Sequence, residues 1–212
     1  MHVVVTGANR GIGRALAEHY RAAGCEVTGT ARDGSEAIPL DVTDPAQHSD
    51  MAKVLAGKPV DLLVCNAGVY LDKTQGMDGY PAEMWAQTFA ANVTGVFLTV
   101  QALLPNLKAA QGKIAILSSQ MASHTRAPGG SYIYRASKAA SLNLGRNLAV
   151  DLRPDGVAVG IYHPGWVKTD MGGSGAEITV DEAVDGLSQR FDTLSLDTTG
   201  CFETWDGRTH PY

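Results

Sequence analysis

Short β-branched apolar runs alternate along the chain with longer stretches whose apolar positions recur at helical spacing, which is how βαβ units around a parallel sheet read in sequence. The first run, His2 to Thr6, passes through a glycine turn into a predicted helix near Ile12 to Ala23 that stops at Gly24. A second strand is predicted over Glu26 to Ala31. The connection from Arg32 to Ala37 is too short for a crossover helix, so the step to Ile38-Pro39-Leu40-Asp41-Val42 should lack one helix of the layer. Thr43-Asp44-Pro45 predicts the start of a helix reaching about Leu55, followed by a strand over Val60 to Cys65. A long helical pattern then covers Ala82 to Ala110, where Pro105 should bend or interrupt it. The strand Ile114 to Leu117, a polar loop from Ser118 to Ser131, the helix Tyr132 to Leu152 and the strand Val157 to Tyr162 follow. A helix over Val180 to Thr193 and a short strand around Cys201-Phe202-Glu203 complete about seven strands.

Composition narrows the partners. With 212 residues, 44% of them hydrophobic and 18% charged, the chain can bury one core, and a single domain over 1–212 is expected rather than two or a disordered segment. A net charge of -5 and the absence of any Lys/Arg cluster argue against nucleic acid. Cys25, Cys65 and Cys201 stand far apart with no C-x-x-C pair, suggesting neither a disulfide frame nor a metal site. The chain opens on an apolar run with no basic leader, and no later apolar run is expected to approach membrane length. The expectation is a cytoplasmic protein with no membrane partner.

The first turn reads Thr6-Gly7-Ala8-Asn9-Arg10-Gly11-Ile12-Gly13, between a strand and a helix. Glycines there let the backbone approach a phosphate, which the free N–H groups and positive dipole end of the helix attract. The spacing is G-x-x-x-G-x-G rather than G-x-G-x-x-G, and three glycines in a tight turn also occur in folds that bind no nucleotide. Further along stand Asn66-Ala67-Gly68, Asn92-Val93-Thr94-Gly95, Ser118-Ser119, Tyr134-Arg135-Ala136-Ser137-Lys138, and Pro164-Gly165 with Thr169 downstream. Tyr134 and Lys138 are four apart on a predicted helix and therefore share a face.

Those six motifs, in this order and in these strand and helix contexts, resemble the short-chain dehydrogenase/reductase family in its compact single-domain branch, over nearly the whole chain. Tyr-Arg-Ala-Ser-Lys and the run His163 to Gly173 are similar to C-factor- and sniffer-like members in particular. The resemblance implies an α/β fold, a doubly wound Rossmann-type parallel sheet in three layers. It implies an NAD(P)-dependent oxidoreductase moving a hydride between nicotinamide and a small or medium carbonyl or alcohol, assembled as a homodimer or homotetramer. A second reading is a nucleotide-binding sensor or signalling protein of the same fold with little turnover.

By the same resemblance, Tyr134 is the acid/base, Ser119 holds the reacting oxygen, Lys138 holds the ribose and lowers the phenol, and Asn92 fixes a water that returns the proton. Bringing a phenol down from about 10 by 2 to 3 pH units needs roughly 3 to 4 kcal/mol of preference for phenolate, to be supplied by Lys138 and the nicotinamide cation. Ser119 precedes Tyr134 by 15 positions, slightly more than the family's usual gap, so Ser118 and Ser131 stand as alternatives, with Ser131 expected to cap the next helix. Cys65 replaces the first Asn of the family's N-N-A-G. The cofactor contacts implied are Gly7, Asn9, Arg10, Gly11, Ile12 and Gly13; Arg32; Asp41 and Val42 beside the adenine; Asn66, Ala67 and Gly68; Tyr134 and Lys138; and Pro164, Gly165, Val167 and Thr169.

NAD selection usually needs an acid at the end of the second strand, whereas a 2'-phosphate needs cations. Thr30-Ala31-Arg32 offers no acid, and Arg32 with Arg10 can fork onto a phosphate, which favours NADP; Asp33 is the residue that would suit NAD. His163 is expected to pack at a strand end, and Trp166, Trp205 and Phe202 to be core or subunit contacts. The segment Asp170 to Ile178, with Gly172, Gly173 and Gly175, is expected to be mobile and to leave the pocket open.

Overall fold

The computed structural model describes residues 1–212. Its seven strands are β1 (His2–Thr6), β2 (Glu26–Ala31), β3 (Ile38–Pro39), β4 (Leu62–Cys65), β5 (Lys113–Leu117), β6 (Ala158–His163) and β7 (Phe202–Thr204). They pair in parallel in the order β3-β2-β1-β4-β5-β6-β7. The helices are α1 (Gly11–Ala22), α2 (Pro45–Val54), α3 (Ala82–Phe89), α4 (Gly95–Ala110), α5 (Tyr132–Leu152) and α6 (Val180–Thr193).

Alternation along the strands sends side chains to two helix layers. Val3 and Val5 pack with Leu16 and Tyr20 of α1 and Leu187 and Phe191 of α6. Val4, Leu63 and Ile114 point the other way, onto Met51 of α2, Val100, Leu103 and Leu107 of α4, and Leu148 of α5. This is the doubly wound Rossmann-type arrangement. The strand order reverses between β1 and β4, which opens a crevice at the carboxyl ends of those strands.

Element order and the main boundaries match the hydrophobic pattern, and the differences have local causes. β3 is only two residues long and sits at the sheet edge, where Pro39 has no N–H to continue a ladder. No helix intervenes between β2 and β3, as the short connection required. Asp44 caps α2 by accepting from the Ala46 N–H at 2.9 Å.

The long helix is not broken where expected. It runs on through Pro105, whose missing N–H leaves unmatched only the carbonyl of Gln101, an exposed residue that water reaches. The irregularity lies instead at a π turn over Ala90–Thr94, between α3 and α4. The extra residue of such a turn re-aims side chains, and here Asn92 is turned inward to 1% exposure. The 29-residue run Ala82–Ala110 is also long and apolar enough by composition to cross a membrane, contrary to the expectation that no run would approach that length. Its apolar side packs on the sheet through Val100, Leu103 and Leu107, so it is a core helix of this layer.

Candidate active site

The glycine turn leaves β1 with Gly7 at φ +66° and Gly11 at φ +53°, a region glycine enters without steric cost. A Cβ at Gly7 would lie 3.1 Å from Ala67 Cα, and one at Gly13 would collide with the Gly7 carbonyl and Asn66 Nδ2. The turn is thus compressed against the end of β4, and Asn66 clamps it there. Asn66 Nδ2 donates to the Thr6 carbonyl at 2.9 Å and the Gly7 carbonyl at 3.1 Å, while Thr6 Oγ1 accepts from the Asn66 and Ala67 N–H groups, each at 3.1 Å. Arg10, the N-cap residue of α1, makes no side-chain cap, and the first turn holds no acid, so the amides of Gly11, Ile12 and Gly13 remain uncommitted. That cradle fits a pyrophosphate by both dipole and available donors.

Motifs far apart in sequence close on this turn. Thr169 Cγ2 lies 3.5 Å from where a Gly11 Cβ would be, and Arg10 approaches Asp170 at 3.6 Å in an exposed pair. Asn9 Nδ2 donates to Asp33 at 2.9 Å, and two hydrogen bonds from Ser35, with the one from Asn9, hold the Asp33 carboxyl down at about 2. Arg32 is exposed and forms no ion pair. Burial opposes ionisation of Asp41, but hydrogen bonds from Thr43, with the charges of Arg32 and His48, keep it below the usual carboxylate range. Val42 is buried against the start of α4, its carbonyl 2.8 Å from a Cβ built at Gly95.

The acid/base candidates meet beyond the ends of β4 and β5. Tyr134 and Lys138 are buried at 8% and 7% exposure on α5, one turn apart, with the Lys138 ammonium 5.6 Å from the Tyr134 ring centroid. Ser119, also buried, lies close enough to the Tyr134 hydroxyl to act on it and accepts from the Met121 N–H at 3.1 Å. The two alternative serines are committed elsewhere. Ser118 Oγ donates to the Lys138 carbonyl at 2.9 Å, and Ser131 Oγ is 2.6 Å from the Tyr70 hydroxyl. Asn92 Oδ1 accepts from the Val69 N–H at 2.8 Å, and its Nδ2 donates to the Val69 carbonyl at 2.9 Å and to Ser137 Oγ at 3.0 Å. A Cβ at Gly68 would sit 3.0 Å from Asn92 Oδ1 and 3.7 Å from Lys138 Nζ, which places that glycine between the two.

Three expectations are corrected. Burial raises the Tyr134 phenol, with smaller upward pushes from Tyr70 and Asp72; the nearby Ser119 hydroxyl pulls it down only in part. Lys138 does not lower it in the chain alone. Its ammonium donates to the Leu117 carbonyl at 2.8 Å and is itself brought down to about 8 by burial. Ser131 holds the N-cap position of α5 but at φ +48° and without a cap bond; the buried carboxylate of Asp72 receives the first amides instead. The segment expected to be loose is tied down. Val167 bridges Ile178, the Lys168 and Ile178 N–H groups donate across the loop to the Ile178 and Trp166 carbonyls at 2.9 and 3.1 Å, and Trp166 Nε1 donates to the Gly172 carbonyl at 2.9 Å. Lys73 also donates to the Met171 carbonyl, at 3.1 Å.

Gly165, at φ +90°, follows Pro164 beside Trp205. Beyond it lies a cavity of about 330 Å³ whose lining includes Gln120, Arg126, Trp166 and Arg208. Trp166 is 46% exposed and so is not a core residue, whereas Phe202 is buried at 1%. His163 packs on the His210 ring, centroids 6.0 Å apart, and burial with nearby cations brings its imidazole down to about 3. Tyr70 and Asp72 were invisible to motif reasoning. Their partners lie more than sixty positions downstream, and Asp72 caps no helix of its own.

Residues 1–177 match the sequence model of the short chain dehydrogenase family, and this chain belongs to that family of NAD(P)-dependent oxidoreductases. Within it, the chain is similar to C-signal of Myxococcus xanthus, 39% identical over 157 residues that cover 73% of this chain and 93% of that one. Among solved structures it superposes on an NADPH-bound carbonyl reductase from chicken fatty liver with a TM-score of 0.90, at 31% identity, covering 100% of this chain and 98% of that one. The carbonyl reductase Sniffer of D. melanogaster matches with a TM-score of 0.93, at 25% identity, over 100% and 99% of the two chains.

Proposed function

We propose that this chain is an NADP(H)-preferring enzyme that moves a hydride between nicotinamide and a small or medium carbonyl or alcohol, with Tyr134 as general acid and base. The observation that carries the reading is the buried contact of Tyr134 with Ser119, backed by Lys138, beside the crevice where the uncommitted amides of α1 await a pyrophosphate. The bound nicotinamide supplies the hydride donor or acceptor. The chain supplies position and a proton. Ser119 and the Tyr134 hydroxyl converge where a substrate oxygen would be polarised, and the raised phenol keeps its proton at neutral pH, which suits donation to a carbonyl. Asn92 and Lys138 flank Gly68, where a water can return the proton through Lys138.

NADP is preferred because Arg32 is exposed and unpaired at the end of β2, while the Asp33 carboxylate is turned to Asn9 and Ser35. NADPH bound to the chicken carbonyl reductase, a similar protein, supports the same choice. The test is NADPH and NADH consumption against a panel of aldehydes and ketones. Turnover with NADPH at least about tenfold more efficient than with NADH is expected, since a lost arginine–phosphate fork is worth 1.5 to 3 kcal/mol; equal use of both would remove the NADP preference. The similarity to C-signal favours, as a second reading, a nucleotide-binding signalling role; NADPH binding without turnover on any carbonyl would support it.

A further inference from the structure

The segment after Asn66-Ala67-Gly68 carries a carboxylate that the reaction above does not use. Asp72 is 1% exposed although it lies in a loop. Its Oδ2 accepts from the Ile133 N–H at 2.8 Å, and both of its oxygens are 3.3 Å from the Tyr134 nitrogen. Ile133 and Tyr134 are the second and third residues of α5, whose amides an N-cap side chain ordinarily satisfies. Ser131, the N-cap by position, is held by Tyr70 instead, and the Tyr70 ring stacks on that of Tyr134 with centroids 4.1 Å apart and planes 20° apart. One short segment therefore grips Tyr134 by its backbone and by its ring face.

We infer that Asp72 is a positioning residue for Tyr134: as the cap of α5 it sets where the phenol lies, and it brings a carboxylate to the helix end that carries the phenol. The titratable groups facing Tyr134 are Lys138 on its own helix and Tyr70 and Asp72 on the segment after β4; the uncharged Ser119 hydroxyl faces it from the end of β5. Removing a neighbouring negative charge favours phenolate, so the protonated donor is lost at a lower pH.

The inference rests on Tyr134 being the acid/base, and three variants separate the two claims. The readout is the pH profile of NADPH-dependent reduction of a carbonyl taken from the panel. In Asp72→Asn, which keeps an acceptor for the α5 amides but no charge, the alkaline limb moves down by on the order of half to one pH unit while turnover stays within a few-fold of wild type. In Asp72→Ala, which loses the cap, turnover falls on the order of tenfold or more, in line with the cost of small misplacements of reacting groups. Retention of turnover in Tyr134→Phe overturns the acid/base reading. An inactive Tyr134→Phe together with an unmoved limb in Asp72→Asn, or with wild-type turnover in Asp72→Ala, overturns the role of Asp72.

Discussion

The first turn of α1 and the first turn of α5 face the same crevice and are built in opposite ways. At α1 the amides of Gly11 to Gly13 are uncommitted and the flanking cations Arg10 and Arg32 are exposed. At α5 the groups around Tyr134 and Lys138 are buried and committed: Asp72 takes the amides, Ser118 takes the Lys138 carbonyl, and Lys138 takes that of Leu117. The contrast separates binding from proton transfer. A phosphate cradle needs donors with nothing else to do, while an acid/base needs neighbours that cannot move. Substitutions at the enclosed end should then change rates, and those at the open end should change nucleotide affinity.

The largest effect is expected from Lys138→Met, which removes the buried ammonium without emptying its space; carbonyl reduction should fall about 10²-fold in steady-state kinetics. A fall of less than threefold would detach Lys138 from the chemistry. Next comes the clamp between the two ends. Asn66→Ala loses the bonds to the Thr6 and Gly7 carbonyls, and denaturant unfolding should show a loss of roughly 1 to 3 kcal/mol together with weaker NADPH binding. Unchanged stability would mean that the turn holds its shape without Asn66. At the open end, the double variant Arg10→Ala/Arg32→Ala should weaken NADPH on the order of tenfold by fluorescence titration, leave NADH within twofold, and leave the rate at saturation unchanged. Equal loss for both nucleotides would break the assignment of these arginines to a 2'-phosphate.

The smallest effect depends on pH. His163 titrates at about 3 in the folded chain against an ordinary 6.5, so between those values the unfolded chain binds a proton that the native one does not. Stability from this group is therefore intact above about 6.5 and is lost as pH falls below it, by roughly 1 kcal/mol per pH unit. His163→Gln should flatten that acid slope in thermal melts at pH 5 and change nothing at pH 7.

The same contrast explains what could be read from sequence. The α1 cradle is local: strand, glycines and helix follow one another, so spacing and composition carried the geometry, as they did for the helix from Tyr132 to Leu152. The order of strands and helices was legible for the same reason. At α5, proximity of Tyr134 and Lys138 followed from helical spacing, but the outcome was set by desolvation and by Asp72 and Tyr70, which arrive through tertiary packing. Sequence gave no means to weigh burial against the ammonium. It likewise could not place the π turn at Asn92 or the bridge between Val167 and Ile178, because both depend on what packs opposite.

Tyr134→Phe tests the division of labour most directly, with NADPH affinity and single-turnover carbonyl reduction measured on the same preparation. Affinity within twofold of wild type and a hydride-transfer rate lower by about 10³-fold are expected, since only the proton donor is lost. A variant that reduces the carbonyl at the wild-type rate would contradict the account.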